Sequence, residues 1–144
     1  MLDLVFLSNQ FYNDYANGFD EIEQKTDRPY ARLVVNVDGV LWCIPFRSHI
    51  NHPNVIWTDK ANCCGIDLSK AVVIVDPQRY IDQSRKPHLR PHEFQVVKSL
   101  NPSFVALKMQ QYTAKYKKAK QHLNVYRNRN LVKCSTLQYF ENYI

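Results

Sequence analysis

Between Phe94 and Phe140 the chain has no aspartate or glutamate, while the same stretch carries Lys98, Lys108, Lys115, Lys117, Lys118, Lys120, Arg127, Arg129 and Lys133. A face that is merely solvated mixes its signs, so a one-sign half points to a polyanionic partner. Over 144 residues the net charge is +6, with a pI near 9.2. No long amphipathic anchor or apolar span is present, so that partner is expected to be nucleic acid and not a membrane. The bland alternative is a soluble basic helix. Glycine is scarce as well, at 3 residues, and 45% of the chain is hydrophobic. That balance excludes a disordered chain and is enough for one domain over residues 1–144 with a real core.

Other absences narrow the chemistry. There is no glycine-rich phosphate loop, no GxGxxG and no HExxH. The carboxylates do not cluster as a two-metal nuclease requires, since Asp38 is a turn residue and Asp67 and Asp76 flank a strand. The four cysteines, Cys43, Cys63, Cys64 and Cys134, contain no CxxC pair. They read as free thiols of a reducing, cytoplasmic setting; a zinc site of Cys63, Cys64 and a histidine is the alternative. No metal or cofactor is therefore expected. The opening MLDLVFLSNQ lacks a basic n-region and has Asp3 inside its apolar run, so it reads as a strand and not a signal peptide.

Against these absences, several elements stand out. Leu2–Leu7 is a short strand, and Ser8 caps a helix through Phe11, Tyr12 and Tyr15 that ends near Gly18. Asp20 to Arg28 is loop-like and closed by Pro29. YARLVVNV and VLWCIPF flank Asp38-Gly39, a pair that accepts the positive φ angles of a type I′ hairpin turn. Val55–Thr58 is a further short strand, and AVVIV after Lys70 reads as a buried one. Residues 78 to 90 are irregular, with one helical turn near Tyr80 and Ile81. Pro91 opens a helix through Phe94, Val97 and Leu100. Asn101-Pro102 begins a longer one, with Val105, Met109, Tyr112, Tyr116, Ala119 and Leu123 at gaps of four and three facing a core. VYRNRNLVKCS reads as a basic turn or strand, and Ser135 caps a last helix, STLQYFENYI. The class is α+β, a mostly antiparallel sheet with helices set against it.

The chemistry is concentrated in IPFRSHINHPN. Leaving an apolar strand, it packs Arg47, Ser48, His49 and His52 into a short loop, where a rigid scaffold can hold functional groups. Metal-free RNA cleavage needs a base for the ribose 2′-OH, cations at the phosphorane oxygens and an acid for the leaving 5′ oxygen. Histidine suits the proton transfers and arginine's planar fork suits the phosphorane. The bland alternative is a polar surface loop.

In order along the chain, Tyr12-x-x-Tyr15-x-x-x-Phe19, RPYARLVVNVDGVLWCIPFRSH and CGIDLSKAVVIV, followed by two basic helices, resemble the toxins of type III toxin–antitoxin systems, the ToxN/AbiQ superfamily, in its TenpN-like branch. The resemblance implies a twisted antiparallel sheet with surrounding helices, similar to MazF-like toxins. It implies a sequence-selective, metal-independent endoribonuclease that leaves cyclic-phosphate and 5′-hydroxyl ends. Its implied partners are a cellular or phage RNA substrate and a small pseudoknotted RNA antitoxin, cut from a repeat transcript and bound back in a closed protein–RNA ring. The implied role is growth arrest and abortive infection.

Residue by residue, the resemblance places Ser48 at the family's site hydroxyl, Tyr12 at its first-helix tyrosine, Arg28 at a basic residue entering the hairpin and Lys70 at the lysine leading the buried strand. Two positions depart. Arg47 stands where ToxN has threonine, and Ile50 stands about where it has lysine. The expectation is that His49 or His52 takes the acid–base role and Arg47 the phosphate. His88 and His92, just before a helix expected to approach the site, are further candidates. Lys108, Lys115, Lys118, Arg127 and Arg129 are expected to bind RNA. The alternative from another class is a non-catalytic basic RNA-binding module.

Overall fold

Asp38 and Gly39 adopt φ values of 52° and 84°, the backbone that a type I′ turn demands. They join β2 (Arg32–Val37) to β3 (Val40–Arg47) in unbroken antiparallel register, from Arg32 opposite Pro45 to Val37 opposite Val40. The computed structural model describes residues 2–23 and 30–144, so Arg28 lies outside the described residues. Before the hairpin come β1 (Asp3–Val5) and α1 (Asn9–Asp14). Ser8 caps α1 by accepting from the Phe11 N–H at 3.2 Å.

After the hairpin, β4 (Val55–Asp59) and β5 (Cys64–Asp67) follow, then the two-residue β6 (Val72–Val73). Among the described residues the sheet has six strands in the order β1-β2-β3-β5-β4, with β6 also on β3. All named pairings are antiparallel. Strand β3 is the spine: Trp42 and Cys43 pair with β6, while Phe46 and Arg47 pair with β5. Because β3 is shared this way, AVVIV is not one strand. Only Val72 and Val73 pair, and Val75 is exposed. Gly65 is where β5 comes close to β4, since a Cβ there would meet the Ile56 carbonyl oxygen at 2.6 Å.

Helices cover the sheet: α2 (Pro77–Tyr80), α3 (Pro91–Ser99), α4 (Pro102–Lys120) and α5 (Tyr126–Cys134). The α4 stripe buries Val105, Met109, Tyr112, Tyr116 and Ala119 and packs on β2. Full burial of such a side chain contributes about 1.5–3 kcal/mol. Leu123 departs from the expected stripe; it is exposed because α4 ends at Lys120. The segment expected as a basic turn or strand is instead α5. Its Asn and Arg residues face out, while Leu131 and Val132 pack against the core, a helical spacing carried by few apolar residues. After Ser135, whose hydroxyl accepts from the Leu137 N–H, the chain makes short 3₁₀ turns in place of a last α-helix. Thr136 donates to the Ala71 carbonyl, which ties this end to the sheet. Among the described residues, no helix is long and apolar enough to cross a membrane.

Candidate functional site

The loop after β3 is held from beneath by one carboxylate. Asp67, at the end of β5, is 0% exposed. Its Oδ2 accepts from Arg47 Nη1 at 2.7 Å. Its Oδ1 accepts from the Ser69 N–H at 3.0 Å and Ser69 Oγ at 2.6 Å, and lies 3.1 Å from His52 Nε2. Burial pushes the Asp67 carboxyl up, but bonds from His52, Ser69 and Arg47 outweigh it and hold the carboxyl below its ordinary value. The loop thus hangs on an interior anion that sequence reading had set aside as a strand-flanking residue.

This anchoring decides what each predicted group is free to do. Arg47 Nη2 bonds Glu23 at 2.7 Å, so with Asp67 on Nη1 the guanidinium already holds two carboxylates. It is not the open phosphate fork expected of it. The Asn54 N–H donates to His52 Nδ1 at 3.1 Å. The ring hydrogen is therefore on Nε2, which faces Asp67 and, at 3.2 Å, Ser69 Oγ. With both nitrogens engaged, His52 shapes the loop. His49 differs. It is exposed, with φ at 58°, the left-handed region in which a side chain is strained. Its Nδ1 lies 3.1 Å from the exposed Ser48 hydroxyl. Among the described residues its Nε2 has no partner.

Beside the loop runs a groove of about 820 Å³. One wall is the loop itself, through Asn51, His52 and Asn54; the other is α4 and α5, through Lys115, Lys118, His122 and Arg127. Lys115 Nζ crosses to Asn54 Oδ1 at 2.8 Å and pins the two walls together. The structure therefore brings Lys115, Lys118, Arg127 and His52, chosen separately from the sequence, onto one concavity. Asn128 and Asn130, which the sequence reading did not single out, also line it and add amide donors and acceptors.

Other predicted residues fall elsewhere. Tyr12 is 3% exposed and lies edge-on to Phe11, inside the aromatic core and not at a site surface. Lys70 donates to Glu21 and to the Cys134 carbonyl, both at 2.7 Å, so it ties segments together and is not open to RNA. Arg129 donates to the Leu123 carbonyl and closes the α4–α5 loop. Lys108 sits over the Phe104 ring, two helical turns from Lys115 and outside the groove. His92 is exposed on the first turn of α3, within electrostatic reach of Asp59. His88 shares a cavity with Leu4, Pro91 and Phe94. Neither lines the groove. Cys63 is exposed and Cys64 buried. Among the described residues no three His, Cys, Asp or Glu side chains converge as metal ligands would.

No family model, curated protein or solved structure matches the chain.

Proposed function

We propose that the chain is an endoribonuclease that needs no metal, of the kind its resemblance to type III toxins implies, with RNA phosphates held along the α4–α5 wall and cut beside His49. The observation that carries this reading is the single concavity that gathers Lys115, Lys118 and Arg127 against Asn51, His52 and Asn54, the far end of the loop whose near end carries Ser48 and His49 outside the concavity. A one-sign groove attracts a phosphate backbone, and a nearby imidazole supplies the proton transfers.

In this mechanism His49 Nε2 takes the proton of a ribose 2′-OH. The freed oxygen attacks the adjacent phosphorus, the bond to the 5′ oxygen breaks, and a solvent water gives that oxygen its proton, while the proton on His49 returns to solvent. The products are a 2′,3′-cyclic phosphate and a 5′-hydroxyl. Ser48 holds His49 Nδ1 and orients the ring. Asp67, His52 and Ser69 fix the loop's path. The antiparallel α+β architecture agrees with a MazF-like toxin sheet, and the basic groove agrees with a folded RNA antitoxin that returns to the site in a protein–RNA ring.

A non-catalytic RNA-binding module is the second reading, favoured by the engagement of both His52 nitrogens and of Arg47. End mapping of RNA incubated with the pure protein in EDTA separates the two. Discrete cuts with 5′-hydroxyl and cyclic-phosphate ends support the nuclease; bound but intact RNA overturns it.

A further inference from the structure

Among the described residues, Tyr126 is the most exposed large apolar side chain, at 69%, and Leu123 and Val125 beside it are exposed as well. Apolar side chains scattered singly over a surface are ordinary, but a ring and two aliphatic groups side by side, rimmed by charge, mark an interaction site. The ring is rigidly presented. Arg129 Nη1 donates to the Leu123 carbonyl and Asn128 Nδ2 to the His122 carbonyl, each at 2.9 Å. Side chains of α5 thus tie down the turn that precedes it. The Arg129 guanidinium lies over the Tyr126 ring, 5.8 Å from its centroid, at the i, i+3 spacing that brings side chains together on a helix. A ring backed by a held cation has little freedom to lose when something stacks on it.

Its place on the helix ties the ring to the groove. Tyr126, Asn130 and Cys134 fall at i, i+4 and i+8, one row along α5. Asn130 and Cys134 line the groove, and so does Arg127, the next residue after Tyr126. Tyr126 therefore ends that row one turn beyond Asn130, about 6 Å along the axis. The surroundings select the partner. No acid lies between Phe94 and Phe140, so a strand held by Lys118 and Arg127 meets no repulsion at this turn. Leu131 and Val132 pack against the core, which leaves α5 no outward apolar stripe to lie in a membrane or along a partner helix. What it offers outward is one aromatic face with a guanidinium beside it, the pair of groups on which unpaired bases stack.

We propose that Tyr126, backed by Arg129, is a stacking platform for one unpaired base of a single-stranded RNA whose phosphates lie in the groove. The inference rests on the RNA reading above and holds whether or not the strand is cut.

The test measures affinity of the full chain by fluorescence anisotropy with two probes of equal length. One is a mixed-sequence 2′-O-methyl oligonucleotide, which has no 2′-hydroxyl to attack and so stays intact. The other is its abasic counterpart, with the same phosphates and no bases. Y126A is expected to weaken binding of the base-bearing strand by about 5- to 100-fold, the usual worth of one stacked base. It is expected to leave the abasic strand unchanged and to keep the wild-type salt slope, since no phosphate contact is lost. Y126F is expected to bind as the wild type does, because the ring and not the hydroxyl stacks. Equal affinity of Y126A and wild type for the base-bearing strand overturns the proposal and leaves the RNA reading standing. An equal fall on both strands also overturns it, since the ring would then act without a base. If the wild type binds neither strand, the RNA reading fails and this inference falls with it. Binding to phosphatidylserine vesicles that Y126A loses, with oligonucleotide affinity unchanged, overturns it in favour of a membrane surface.

Discussion

The molecule uses its positive charge in two opposite ways. In the groove, Lys118 and Arg127 face an open concavity within a stretch that contains no acid. Around Arg47 and Lys70, each cation is already matched to a carboxylate and partly buried. Open cations attract a mobile polyanion at a strength set by salt. The Arg47–Asp67 pair instead fixes geometry and responds little to salt, because Asp67 is out of water, while the Glu21 and Glu23 pairs are about one-third exposed and partly screened. Sequence charge alone does not tell these uses apart; the location of the acids does.

The sharpest division comes from His49→Ala. Cleavage is expected to fall by about 10²–10⁴-fold, the usual worth of a general acid–base group, while RNA affinity holds. Gel-resolved cleavage and fluorescence anisotropy on one RNA check both halves. If affinity falls with rate, His49 belongs to the binding surface.

Asp67→Ala breaks the closed cluster. It leaves Arg47 and His52 without their shared anion and should cost about 3 kcal/mol of stability, read from urea unfolding. A loss near zero would mean the loop does not depend on that carboxylate.

The groove has a milder signature. Lys118→Gln with Arg127→Gln should weaken single-stranded RNA binding roughly tenfold. It should also flatten the log–log salt slope by about 1.4, at ~0.7 per lost phosphate contact. Lys117→Gln, on the same helix but outside the groove, should do neither. An equal effect from Lys117 would make the basic half a diffuse surface.

The smallest effect is a pH dependence that separates the two regions, since among the described residues the groove lining holds no carboxylate and the closed cluster holds Asp67. Arg79, Tyr80 and Gln10 hold Asp14 down to about 2. Ser84 and Arg85 hold Asp82 down to about 2. Asp67 is lowered as well, and so is Glu141, chiefly by Lys120. In each case the unfolded chain binds more protons than the folded one through this acid window, so stability rises with pH. The contribution is complete above the ordinary carboxylate range, near 4, and is lost as pH falls toward 2. Thermal melts between pH 2 and 6 should show that slope, and a flat profile would contradict the lowered values.

Much of the fold was readable because its signals are local. Asp38-Gly39, the Ser8 cap and the Val105–Ala119 stripe each follow from a few neighbouring residues. Strand β5 was not read. Cys64–Asp67 is four residues long, buried throughout and interrupted by Gly65, so it shows neither alternation nor an apolar run. The site divided along the same line. The loop residues and the groove lysines were legible as residue types in clusters. Asp67 was not, since its burial depends on His52 and Arg47 arriving from another strand and its loop.

One wall of the groove is made long before the other. His52 and Cys134 lie about 80 residues apart, and a ribosome adding ~5–20 residues per second needs about 4–16 s to cover that distance. During that interval the nascent chain carries its histidine loop without α5 to face it, and Asn54 has no Lys115 to hold it until α4 has emerged. If RNA held in this groove is what the protein cuts, the ribosome and message producing it are spared until α5 has been made.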